Sequence, residues 1–129
     1  MRVLRSLADD RGSAPAEFVL VGALLTLLTL SVLQVAFAMH VRNTVVDAAA
    51  EGARHAALAD RSIGDGIART RELISLALSP NYARDVTAHT AGGMVAVTVR
   101  APLPLLGLVG IEHGLEVVGH APVEVVQLD

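Results

Sequence analysis

Between Phe18 and Met39 the chain carries no formal charge, and only Thr26, Thr29, Ser31 and Gln34 interrupt its apolar side chains. About 20 such residues wound as a helix cross roughly 30 Å of hydrocarbon. The isolated hydroxyls are tolerable in that setting because each can donate to the carbonyl one turn earlier. No other feature restricts the fold so strongly: a run this long must sit in a bilayer, be removed, or find a core larger than the rest of the chain can build. Arg2, Arg5 and Arg11 precede the run, and Arg42 follows it. Basic residues near the ends of a span set its direction and acids weigh little, so Asp9 and Asp10 do not offset the three arginines. The N-terminus is expected in the cytoplasm and everything after the run outside it.

The domain beyond the run must be small. The 129 residues include only three aromatics, Phe18, Phe37 and Tyr82, in a composition that is 53% hydrophobic. The core therefore has to be made of Ala, Val and Leu, which bury less area per side chain. Cysteine is absent, which excludes a disulfide framework and a thiolate metal site. All ten basic residues are arginine and the formal charge is −3. That balance argues against a phosphate-binding surface, so nucleic acid is not an expected partner.

Three readings account for the run. A removable secretory signal is one, with Ala36 and Ala38 in the A-x-A spacing of a cleavage site. The run exceeds the usual apolar core of such signals, however, and an acid abuts its start. A plain single-pass anchor is the second. The third rests on the segment "GSAPAEF", residues 12–18, where Glu17 stands directly against Phe18. An ionised carboxylate at the rim of hydrocarbon needs a partner. Cutting between Gly12 and Ser13 supplies one: Ser13 becomes the first residue, and its new α-amino group can pair with Glu17 of its own chain or of a neighbouring subunit. Pro15 then lies in the first helical turn, where its missing N–H costs nothing. Before the cut it disfavours helix at Ala14 and is expected to keep the Gly12–Ser13 bond extended.

A glycine, four residues, Glu and an aromatic ahead of a span resemble the processing site of the type IV pilin class. The stretch "VRNTVVDAAAEGARHAA", residues 41–57, is similar to the polar, then Ala-rich helix with a Glu-Gly-Ala-Arg core that follows the span in one branch of that class, the TadE-like minor pilins (pseudopilins) of the tight-adherence (Flp) system. The resemblance covers roughly the first half of the chain. It implies cleavage at Gly12/Ser13 by a prepilin peptidase, assembly contacts through Glu17 and Phe18, and partners among other pilin subunits and the Tad/Flp assembly machinery. It also implies a place in the cytoplasmic membrane, with incorporation in a surface pilus for adherence. Family members often carry a proline a few residues into the span, where this chain has Gly22.

The implied organisation is a cytoplasmic leader (1–12), a membrane-spanning helix half (13–39), an extracytoplasmic continuation of that helix (40–59) and a small α+β outer domain (60–129). The helix is expected to run unbroken from Phe18 to Ala59, with Gly52 its weakest interior position. Val41, Val45, Ala48, Gly52 and Ala56 form a narrow apolar stripe. Ala48, Gly52 and Ala56 are a small-xxx-small row that admits close approach of another element, either the chain's own outer domain or a second subunit.

In the outer domain a second helix is expected from Ile63 to Leu78, capped by Ser62 and stopped by Pro80, with Ile67, Leu73, Ile74, Ala77 and Leu78 facing inward. Alternation then predicts a strand through Val86, Ala88 and Thr90, a tight turn at Gly92–Gly93, and a strand presenting Val95, Val97 and Val99. Residues 101–114, "APLPLLGLVGIEHG", read as an apolar loop over the sheet, and 115–128 as an edge strand marked by Pro122. The sum is a pilin-like α+β fold: one long helix, one short helix and a three-stranded antiparallel sheet.

No phosphate loop, nucleophile elbow or HExxH motif is present. Glu112, His113 and His120 lack metal-ligand spacing. Neither cofactor, metal nor small-molecule substrate is expected, and the chain is read as a structural protein rather than an enzyme. The rival reading is an uncleaved, membrane-anchored binding or sensor module of the envelope.

Overall fold

The computed structural model describes the backbone of residues 3–105 and 109–127, and the side chains of residues 12–104 and 113–127. Its elements are α1 (Val3–Ala57), α2 (Ile63–Ala77), a 3-10 turn (Pro80–Ala83), β1 (Asp85–Ala91), β2 (Met94–Leu105) and β3 (Val109–Pro122). The fold class is α+β: a long apolar N-terminal helix, a short second helix and an antiparallel sheet of order β1-β2-β3. The chain divides into two compact units, Met1–Val35 and Ala36–Asp129.

The first unit is helical. Side chains from Gly12 to Leu33 are exposed all round, including Phe18 at 80%. The helix begins earlier than Phe18 and ends at Ala57, short of Ala59. It also runs through Gly12, Ser13 and Pro15, so the Gly12–Ser13 bond is helical and not extended. Proline restrains the residue before it only by preference, and a helix propagating from the span overrides that preference by adding a hydrogen bond for each residue fixed.

In the second unit the sheet packs its inner face on the outer half of α1. Gly92 and Gly93 adopt φ of 59° and 75°, the left-handed pair that a two-residue hairpin turn demands, and they bring Ala91 opposite Met94. Along β2, Val95, Val97, Val99 and Ala101 are buried; along β3, Leu115, Val117 and Ala121 are. They meet Val41, Val45, Ala49 and Ala53 of α1 and Ile74 of α2 in one core. The expected stripe on α1 is broader than a single row. Ala49, Ala53 and Ala57 are buried beside Ala48, Gly52 and Ala56, because the helix is covered on one side by α2 and on the other by the sheet.

Residues 101–105 and 109–114, expected as part of an apolar loop, are strand. β2 continues to Leu105 and β3 starts at Val109, with Leu103 opposite Ile111 and Leu105 opposite Val109. The connecting residues 106–108 lie outside the described residues. The register shifts between Ala101 and Leu103: Pro102 has no N–H to give the ladder, and β3 loops out at Glu112–Gly114, where His113 takes a φ of 58°. A periodicity reading breaks at such a bulge, which is why continuous strands resembled a loop. At the other end, β3 stops at Pro122 and residues 123–127 are not strand, so the edge strand ends well before Leu128.

Candidate functional site

Two segments carry the residues singled out in the sequence, one in each unit. In the first, Glu17 is exposed on α1 beside Phe18. Among the described residues no side chain pairs with its carboxylate. Gly12 faces open space, since a Cβ placed there meets nothing within 4 Å. Pro15 sits inside the helix. A proline there withholds its own N–H and crowds the carbonyl four residues earlier, so α1 is weakened in the turn that holds Gly12 and Ser13.

The three hydroxyls of the span bond back to their own helix. Thr26 Oγ1 donates to the Gly22 carbonyl at 2.8 Å, Thr29 Oγ1 to Leu25 at 2.8 Å and Ser31 Oγ to Leu27 at 2.7 Å. Each hydroxyl thereby spends its proton on its own helix, the condition for lying in lipid without a partner. The most apolar window of this helix has a mean hydropathy of 2.3 and none of it is buried. One N-terminal apolar helix of this kind fits a single-pass membrane anchor.

In the second unit the small residues of α1 form a seam with α2. A Cβ on Gly52 would overlap Thr70 Oγ1 and lie 2.8 Å from the Gly66 carbonyl oxygen. A Cβ on Gly66 would lie 2.5 Å from Ala56 Cβ and 2.7 Å from the Gly52 carbonyl oxygen. The two glycines thus face each other at backbone contact. Thr70, fully buried, donates to the Gly66 carbonyl at 2.9 Å and leans on that of Ala48 at 3.4 Å. The row Ala48, Gly52, Ala56 therefore packs within its own chain, against Gly66 and Thr70.

Sequence reasoning missed the partner side of this seam. Of the residues it placed on the inner face of α2, Ile74 is buried and Ile67, Leu73 and Leu78 are half-buried against the core, but Ala77 is exposed, and the buried Gly66 and Thr70 were left out. Polarity misleads here: Thr70 is buried because its hydroxyl is satisfied on the spot. It likewise passed over Gly119 on β3, where a Cβ would run into the Ala49 and Ala50 backbone. An isolated glycine in a strand pattern is itself a signal of close backbone approach.

Ser62 caps α2. Its hydroxyl accepts from the Asp65 N–H at 3.2 Å and its own N–H donates to Asp65 Oδ2 at 2.8 Å, a reciprocal capping box. These bonds from Ser62, the backbone one foremost, hold the Asp65 carboxyl below its usual value. On the sheet, Arg100 donates to Glu116 at 2.8 Å across the β2–β3 ladder, and that bond raises the Arg100 guanidinium above its usual value. No group of three or more metal-ligating side chains occurs among the described residues. His113 stands 3.7 Å from Asp85, and the Glu112 side chain lies outside the described residues.

Comparison with known proteins bears on the first segment and the seam together. Residues 12–54 match the TadE-like protein family. The match spans about a third of the chain, from Gly12 through the apolar run to Arg54, and is consistent with a TadE-like protein of the Tad/Flp pilus system. No curated protein and no solved structure matches the chain significantly. The TadE-like segment therefore holds Glu17, the apolar helix and most of the small-residue row, and it points to a protein associated with the Tad pilus.

Proposed function

We propose that this chain is a structural minor pilin or pseudopilin, cut by a prepilin peptidase between Gly12 and Ser13 and drawn through its N-terminal helix into a Tad/Flp pilus or its assembly base. The observation that carries the reading is the exposed Glu17 carboxylate, unpaired among the described residues, directly ahead of the stretch of α1 that is apolar on every side. In the cytoplasmic membrane, with the N-terminus inside, that acid sits where desolvation penalises its charge and a cation is needed. Cleavage creates the cation at Ser13, and a neighbouring subunit brings another within reach. The TadE-like match beginning at Gly12 supports the same boundary.

A helical Gly12–Ser13 bond must be opened before a peptidase can use it. Gly12 and Pro15 lower the cost, since both weaken helix at their positions. The same helical continuity is what an uncleaved anchor would keep, and mass spectrometry of the mature chain separates the two. A start at Ser13 supports the pilin; an intact N-terminus in cells with complete pili refutes it in favour of a tethered envelope domain. Glu17→Ala is expected to leave membrane insertion intact and to lower incorporation into pili. Unchanged incorporation would remove the pairing role.

A further inference from the structure

The sheet has different contents on its two faces. Val95, Val97 and Val99 of β2 point into the core, so the alternate residues Met94, Ala96, Thr98 and Arg100 point away from it. Residues opposite one another on antiparallel strands share a face. His89 of β1 is opposite Ala96, and His120 of β3 is opposite the same alanine on its other side. Two histidines thus flank one alanine in a single row on the solvent face. Both are exposed, and among the described residues neither imidazole makes a hydrogen bond or an ion pair. Along the chain His120 has no second ligand at metal-binding spacing; the strand register supplies one across the sheet.

The distances suit a bridge between the two rings. A residue of a central antiparallel strand makes a close pair with one neighbour and a wide pair with the other, about 4.5 and 5.5 Å between Cα atoms. His89 and His120 therefore stand roughly 10 Å apart at Cα. A histidine reaches a bound metal roughly 6–6.5 Å from its Cα, of which the nitrogen–metal bond is about 2 Å. Two such arms leaning inward meet about 3–4 Å above the sheet, over Ala96. A methyl leaves that space open, and a longer side chain would fill it. Ala96 is only 6% accessible although it faces away from the core. Its methyl is the floor between taller side chains, with the histidines to either side and Met94 and Thr98 along its own strand.

We propose that His89 and His120 chelate one divalent ion of the nickel, copper and zinc class over Ala96, on the solvent face of the sheet. Imidazole suits these ions, whereas calcium and magnesium favour oxygen ligands. The two ring nitrogens fill two positions of the ion and water fills the rest. Thr87 and Thr98, paired in the adjoining row, offer hydroxyls to that water. Because the ligands sit on the two edge strands, a bound ion ties β1 to β3 across β2 and stabilises the folded sheet.

Ni²⁺ alone is the probe, added to the untagged full-length chain in detergent micelles at mildly alkaline pH, where imidazole is neutral. Isothermal titration is expected to show one ion per chain, with Tm rising as the site fills. His89→Ala and His120→Ala should each weaken binding at least about tenfold, while His55→Ala and His113→Ala leave it unchanged. Ala96→Leu keeps both imidazoles and obstructs the space between them, so it should weaken binding as much. Absence of binding to the parent chain overturns the chelate, as does undiminished binding in any of the three site variants. Binding that each histidine variant merely halves in stoichiometry shows two independent rings and overturns it too. One ion per two chains, with dimerisation, overturns it in favour of a bridge between copies. His89→Gln and His120→Gln repeat the measurement should an alanine variant fail to fold.

Discussion

Replacing Gly52 by alanine sets two effects of opposite sign against each other. Intrinsic propensity favours alanine in a helix interior by about 1 kcal/mol. Packing opposes it, because the new methyl would occupy the space of Thr70 Oγ1 and stand 2.8 Å from the Gly66 carbonyl oxygen. Thr70 is fully buried and bonded to that same carbonyl, so it cannot swing away without losing its acceptor. The backbone of α2 must retreat by several tenths of an ångström and loosen Ile74 behind it. Overpacking of this kind costs about 1–3 kcal/mol, and a buried hydroxyl left without its acceptor adds about 1–3 kcal/mol. The net expectation is a destabilisation of roughly 2 kcal/mol, a fall of about 8–16 °C in Tm for a domain of this size. Thermal unfolding of the full chain in detergent micelles, followed by circular dichroism, measures it. Gly64→Ala is the control, since a Cβ there meets only Ser62 Oγ at an ordinary 3.6 Å. A Tm that rises in Gly52→Ala, as propensity alone would give, refutes the seam.

Gly119→Ala is expected to destabilise at least as much, since the obstacle is the Ala49 and Ala50 backbone; urea unfolding of the same preparation reads it. Ser62→Ala removes the cap of α2 and is expected to cost about 1 kcal/mol near neutral pH. Because Asp65 has a lowered carboxyl pKa in the folded state, its stabilisation is present above the ordinary carboxylate range, where pH exceeds 3.8, and is lost as pH falls through the depressed value. Acid titration of Asp65→Asn should accordingly lack that part of the transition. His113→Gly relieves a left-handed backbone at the bulge and is expected to hold or raise Tm, whereas His113→Val, β-branched at φ 58°, should lower stability by about 1–2 kcal/mol.

The parts of the fold that obey local rules were legible in the residues. Uninterrupted apolar character gave the long helix, Ser62 and Pro80 bounded the second one, and Gly92–Gly93 set the hairpin with its register. The candidate segment from Gly12 to Phe18 could be singled out because an acid against a span conflicts with its surroundings. What stayed hidden depends on partners distant in sequence. Thr70 reads as a surface residue until Gly66 and Ala48 are placed around it, and Gly66 reads as a helix weakness until Gly52 stands opposite. The bulge at Pro102 concealed the continuation of β2 and β3, since it shifts the phase of alternation midway and leaves the segments beyond it too short to register as strands.

Thr26, Thr29 and Ser31 have a wider consequence. With their protons folded back onto the rod, its flank from Phe18 to Leu33 is a nearly uniform hydrocarbon sleeve with little to distinguish one compass bearing from another. Such a sleeve can turn about its long axis or slip lengthwise past similar neighbours without breaking polar bonds. Whatever sets the orientation of this stretch must therefore grip the rod before it, at Glu17, or after it, from Gln34 onward.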